Sequence, residues 1–262
     1  MVGQIAVGDG TGGLGHPYLS RATMIEAFLR KLRVRDDVSP EEEAALRGVL
    51  GETRSVPAHR AVMRAWQPLH ESTLLLKGWT ARAKDLEGGE RQITEINLPG
   101  DFVDLHSFTL KELDHDVVAL TNCEFVTAPH EKLEELTIRF PHLTRLLWFS
   151  TNLDAAIHRE WMLSAGRRTA LGRVAHLFCE LLVRLEISGL VDDDSYDFPL
   201  TQVQLADCLG LTSVHVNRTL QELRRRGLLA LENRRVTIHD LEALKQVAEF
   251  DGLYLYVEKR PR

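Results

Sequence analysis

The segment LTQVQLADCLGLTSVHVNRTLQELRRRG, residues 200–227, limits what this chain can fold into more than any other stretch. Thr201 and Gln204 have the Thr-x-x-Gln spacing of a capping box, in which each side chain satisfies a free backbone N–H at a helix start. Leu205 and Leu209 then fall on one face, and Gly210 follows where a left-handed helix end costs least. Thr212 can cap a second helix. In that helix Val216, Leu220 and Leu223 share a face that would pack on Leu205 and Leu209. The opposite face carries Ser213, Val214, Asn217, Arg218, Gln221, Arg224 and Arg225. After Gly227 the apolar residues alternate: Leu229 and Leu231, a polar tip Glu232-Asn233-Arg234-Arg235, then Val236 and Ile238. That is the pattern of a small β-hairpin. Two capped helices, a tight turn, a basic outer face and a hairpin wing describe a winged helix-turn-helix, a shape that fits the major groove of double-stranded DNA.

On that geometry the start of the second helix reaches base edges, and the later arginines meet phosphates. Arg218 has the fork that pairs with guanine O6 and N7, and Asn217 has the amide that reads adenine. Arg224 and Arg225, the hairpin-tip residues Arg234 and Arg235, and Thr201 and Gln202 at the start of the first helix are the expected phosphate contacts. The net charge of −6 is uneven. Residues 199–237 hold six arginines against three acids, a local excess that predicts strongly salt-dependent binding.

Upstream the chain changes character several times. Residues 1–16 are glycine-rich and read as a disordered tail; their G-x-G-x-x-G match lacks the strand and uninterrupted helix that a dinucleotide site needs. Residues 18–34 and 40–50 read as helices, the second with a cap at Ser39, proline at its first position and acids facing the dipole. Between about 53 and 129, short apolar runs alternate with Gly-Gly and Pro-Gly turns, the signature of an antiparallel β-sandwich or barrel. Pro141 opens a long helix over 141–165, apolar on more than one face, which needs two surfaces to cover it. One surface is the β-domain; the other is expected to be a second copy, because two-fold dimers match palindromic half-sites. Gly166-Arg-Arg reads as a break, and a further amphipathic helix over Thr169–Glu186 and a polar Asp192–Ser195 link lead into the helix-turn-helix.

Residues 200–239, most sharply LTSVHVNRTL at 211–220, resemble the DNA-binding domain of the Crp–Fnr superfamily, bacterial regulators named for the cyclic-AMP receptor protein. The order of β-domain, long helix and winged helix-turn-helix over about residues 20–250 is also that family's order. The resemblance implies an α+β fold: an antiparallel β-roll of cyclic-nucleotide-binding type with N-terminal helices (17–140), a dimerisation helix (141–165), and a winged DNA-binding domain (166–262). It implies base reading by Ser213, Val214 and Arg218, with Thr212 and His215 nearer phosphate. Ser213 and Val214 stand where the best-known members carry Arg and Glu, so the sequence read should differ from the cyclic-AMP receptor site.

The family's β-roll holds its nucleotide with a Gly-Glu pair and an Arg-Ser or Arg-Thr pair. Here Pro99-Gly100-Asp101-Phe102 resembles the cassette start, and the cassette would end near Leu113-Asp114-His115-Asp116, with Lys111 its one base. Asp114 and Asp116 would repel a phosphate in a low-dielectric pocket. A signal other than cyclic AMP is therefore expected, with no cofactor. An Fnr-type cluster needs closely spaced thiolates near the N-terminus, and no cysteine precedes Cys123. Cys123, Cys179 and Cys208 fit no disulfide framework. For haem, His106 and His115 in the degenerate cassette are the candidate ligands. No membrane span or signal segment is found, so a cytoplasmic protein is expected. The competing readings are a cupin-like metal-dependent enzyme, which lacks its His-x-His set, and an effector-independent interaction module. No catalytic residue is expected, and activation would require a surface for RNA polymerase.

Overall fold

The computed structural model describes residues 21–260; the expected tail at 1–16 and its glycine motif lie outside the described residues. Two helices lead: α1 (Arg21–Arg33) and α2 (Pro40–Val49). Ser39 caps α2 through a full capping box with Glu42, and Pro40 takes the first position. Strands β1 (Thr53–Val56), β2 (Ala61–Met63), β3 (Glu71–Lys77), β4 (Thr80–Asp85) and β5 (Arg91–Asn97) follow, then the short helix α3 (Ser107–Leu110) and strands β6 (Asp116–Ala119) and β7 (Cys123–Pro129). They form two antiparallel sheets, ordered β1-β7-β3 and β2-β6-β4-β5. The fold is thus the expected α+β arrangement. The apolar runs at Ser72–Leu86 and Val117–Ala128 each split at a turn into two strands. Gly100 lies at φ +88° with α1 so close that a Cβ would meet the Ala27 and Phe28 backbone at 2.8 Å, so only glycine fits there.

A helix that the β-pattern hid, α4 (His130–Arg139), follows β7 directly. Next come α5 (Pro141–Arg167) and α6 (Ala170–Ser188). Gly166 does not break α5; the helix runs to Arg167 and stops at the extended Arg168, and Thr169 caps α6. The DNA-binding part holds β8 (Ser195–Asp197), α7 (Gln202–Leu209), α8 (Ser213–Arg225), β9 (Leu229–Glu232), β10 (Arg235–Ile238) and α9 (Leu241–Ala248). The Asp192–Ser195 stretch is not merely a polar link. Asp193 and Asp194 take positive φ in a turn that delivers β8, so the wing is a three-stranded sheet, β8-β10-β9.

The β-domain and the DNA-binding domain share one apolar cluster. Trp79 of the β3–β4 turn and Ile93 and Ile96 of β5 belong to the same core as Phe178 of α6, Phe198 just after β8, and Leu205 and Val216 of the helix-turn-helix. Trp79 meets Phe198 edge-to-face with centroids 6.1 Å apart. Polar joints reinforce this contact. Arg184 of α6 donates to the Ile96 carbonyl (2.7 Å) and to Asp101 (3.3 Å), and Glu180, fully buried, accepts from Arg184, Trp161 and Tyr254. A large apolar interface of this kind holds two domains in one pose, whereas small polar ones permit motion.

Candidate nucleic-acid interface

Local chemistry sets each end of the two reading helices. Thr201 and Gln204 make the reciprocal box at the start of α7, with the Thr201 N–H donating to Gln204 Oε1 at 2.9 Å and the Gln204 N–H to Thr201 Oγ1 at 3.2 Å. Gly210 ends α7 at φ +60°. Thr212 accepts from the His215 N–H at 3.3 Å and starts α8. Val216 and Leu223 are buried against the α7 leucines, Leu220 is half-buried, and Thr219 joins the inner face. Replacing Thr212 by alanine leaves that donor unpaired. We expect a loss of about 1 kcal/mol, read as a Tm fall of roughly 2–4 °C in thermal unfolding.

The outer face carries the expected residues. Val214 is 77% exposed and Arg218 and His215 are exposed, with Ser213 and Asn217 half-buried beside them. Asn217 is held in place: it accepts from Gln221 Nε2 at 2.9 Å and donates to Gln202 Oε1 at 3.4 Å. Gln202 therefore orients the residue expected to read adenine, a link that no local spacing reveals.

The arginines differ in their partners. Arg224 pairs with Glu232 at 2.5 Å, and Arg235 with Asp192 and Asp197 at 3.2 and 3.3 Å. Arg225 and Arg226 both grip Glu222, whose carboxyl they hold down at about 2. Exposed pairs of this kind are worth little and exchange readily. Among the described residues the Arg218 and Arg234 side chains have neither an ion pair nor a hydrogen bond to protein. Arg234 sits at the wing tip, where Asn233 (φ +51°) and Arg234 (φ +60°) form the two-residue turn between β9 and β10. The site is thus an exposed, capped helix start with one uncommitted guanidinium on α8 and another on the wing.

In the β-domain two carboxylates of the expected cassette are already paired. Asp101 is engaged by Lys31 at 2.6 Å, by Arg184 and by the Leu98 N–H, and Asp114 pairs with Lys84 at 2.8 Å. His106 and His115 stack loosely, centroids 5.4 Å apart. Among the described residues no group of three or more His, Cys, Asp or Glu could hold a metal ion. All three cysteines are buried and free, and no described helix is long and apolar enough to cross a membrane.

Comparison with known proteins agrees with this architecture. Residues 172–247 match the Crp-like helix-turn-helix domain family, and residues 53–139 match the cyclic nucleotide-binding domain family. The chain is 32% identical over 217 residues to the transcriptional activator protein FnrL of Cereibacter sphaeroides, covering 80% of this chain and 86% of that protein. It is 30% identical to the nitrogen fixation regulation protein FixK of Bradyrhizobium diazoefficiens, covering 66% of this chain and 72% of that one. The structure of FixK2 from Bradyrhizobium japonicum superposes with a TM-score of 0.69 at 24% identity, over 75% of this chain and 96% of that one. These proteins are regulators and not enzymes, which removes the cupin-like alternative. The chain belongs to the Crp–Fnr family and is a DNA-binding transcription regulator of that type.

Proposed function

We propose that the protein works in the cytoplasm as a homodimer, joined through residues 141–165 of α5, on a palindromic operator, and answers to a signal other than cyclic AMP. Ser213, Val214, Asn217 and Arg218 face bases; Thr201, Gln202, Thr212, His215, Arg224, Arg225, Arg234 and Arg235 face phosphates. The observation that carries the DNA contact is the uncommitted Arg218 on the exposed start of a capped helix. The dimer rests on α5. Its inner side is buried through Leu143, Leu146 and Ile157, while Trp148 and Met162 are 67% and 71% exposed on the other side. With Ala155 between them these residues fall seven apart, the stripe of a two-helix seam. Activation by this protein would use a further surface for RNA polymerase.

Genome-wide mapping of bound sites tests the whole reading: a two-fold symmetric motif is expected, and its absence would remove the dimeric operator. Calorimetric titration with cyclic AMP and cyclic GMP should show no micromolar binding. Phosphate contacts have their own signature. Arg234→Ala should weaken binding to all duplexes alike and lower the slope of log K against log salt by about one per wing engaged. A sequence-selective loss with an unchanged slope would instead make Arg234 a base contact.

A further inference from the structure

The chain does not stop at α9. It leaves that helix through positive φ at Glu249 (+50°) and Gly252 (+68°), and residues 249–260 return across α6, α5 and the end of α1 as a strap. Each stretch is anchored. Tyr254 stacks on His176 of α6 with centroids 5.8 Å apart, and its hydroxyl donates to Glu180 at 2.7 Å. Leu255 is 1% exposed, and its carbonyl accepts from Arg35, just past α1, at 3.3 Å. Tyr256, at φ +49°, meets Phe149 of α5 edge-to-face with centroids 6.1 Å apart. The Arg260 N–H donates to the Arg35 carbonyl at 3.0 Å, and Lys259 pairs with Asp37. A segment that trails the DNA-binding domain in sequence thus lies beside the helix expected to form the dimer.

Strap and helix leave a groove of about 420 Å³ between them, lined by Phe149, Asn152 and Arg159 of α5 and by Tyr256 and Arg260 of the strap. Tyr256 is 50% exposed, and Trp148, next to Phe149 in the chain, is 67% exposed. Two helix-turn-helix units that meet one face of a duplex both follow the C-terminal ends of their α5 helices, so a two-fold pair runs parallel. In a parallel pair each knob enters a hole of four residues on the facing helix. On the seven-residue stripe of Trp148, Ala155 and Met162, the hole that faces Trp148 is formed by Arg145, Trp148, Phe149 and Asn152. Phe149 and Asn152 also line the groove, so an incoming indole passes them and reaches Tyr256. There it leaves water against two aromatic rings, where a side chain of its size buries roughly 150–250 Å². The contact is self-complementary: the symmetry that brings one indole in places the other in the second groove.

We propose that the strap forms part of the dimer contact, and that the groove between Phe149 and Tyr256 receives Trp148 of a second copy of this chain. The proposal rests on the dimer reading and adds to it a surface from outside α5.

Sedimentation of the full chain over a range of concentrations gives the dimer constant. Trp148→Leu keeps an apolar knob but shortens it. Tyr256→Asn removes only the ring, because asparagine tolerates a left-handed backbone. Each should weaken the dimer about tenfold or more, with the circular dichroism spectrum unchanged. Tyr256→Phe keeps the ring and should match the native constant. A double-mutant cycle separates contact from indirect effects: with Trp148 already leucine, Tyr256→Asn should cost less than about twofold, because its partner is gone. An equal loss in both backgrounds would show that Tyr256 acts within its own protomer, and overturns the proposal. A dimer constant that ignores Tyr256→Asn overturns it too, leaving α5 as the seam and the groove to another occupant. A chain that stays monomeric at every concentration removes the dimer reading and this contact with it.

Discussion

Arg218→Ala is expected to cost about 1–3 kcal/mol of specific DNA binding, roughly a 5–150-fold loss, while the oligomeric state and the thermal midpoint stay as they are. The reason is the partner count. Arg224, Arg225 and Arg235 are each tied to a carboxylate in the free protein, so what they gain on phosphate is partly offset by what they release. Arg218 is exposed and its side chain is bonded to no described protein group, so in the proposed contact its whole interaction would be made on DNA, with nothing lost from the fold when it goes. A bidentate base contact also carries information, so the preference at one position of each half-site should relax. Fluorescence anisotropy at fixed salt, run on a selected duplex and on single-base variants, reads both effects. Unchanged affinity together with unchanged preference would end the assigned role. Arg224→Ala is the control: it frees Glu232 at the surface and should cost less, with no change in preference.

The parts of this protein legible in the sequence are those built from near neighbours. Caps at Ser39, Thr201 and Thr212, the glycine end at Gly210 and the alternation around Asn233 all act within four residues, and each recurs in the structure as read. Helix α4 escaped because it starts immediately after β7, with Pro129 as the hinge and no polar cap to mark it. Strand β8 escaped because three residues give no periodicity; only the distant pairing with β10 makes it a strand. Gly166 suggested a helix end, yet the helix continues one residue past it, since the loss from one glycine in a 27-residue helix is small against packing. The contacts that tune the interface are also distant. Gln202 reaches Asn217 across fifteen positions, Glu232 reaches Arg224 across the wing, and Gln92 reaches α7 across more than a hundred. Spacing cannot announce such pairs, and the type of residue alone leaves too many candidates.

The same limit hid Arg82, whose removal should be the most damaging change in the β-domain. Its side chain is 2% exposed and joins β4 to Glu95 of β5 and to Asp154 of α5, so it ties the barrel to the helix expected to form the dimer. Arg82→Ala leaves the buried Glu95 carboxyl and the partly buried Asp154 carboxyl without the cation they share. Breaking a buried pair from one side costs about 3–5 kcal/mol, a Tm fall of roughly 6–20 °C for a chain of this size. The pH dependence gives this loss a signature that a simple cavity would lack. In the intact protein burial and the neighbouring Glu95 already push Asp154 up to about 7, while Arg82 holds Glu95 low. Without the guanidinium both carboxyls rise. An acid whose folded pKa stands above its unfolded value contributes its stability below the unfolded pKa and loses it as pH climbs through the folded one. The variant should therefore be hurt most at pH 8 and recover as pH falls toward 5, and Glu95→Gln added to Arg82→Ala should restore much of the midpoint at pH 8. A loss that is independent of pH, or a second substitution that restores nothing, would show that Arg82 stabilises by packing and not by charge.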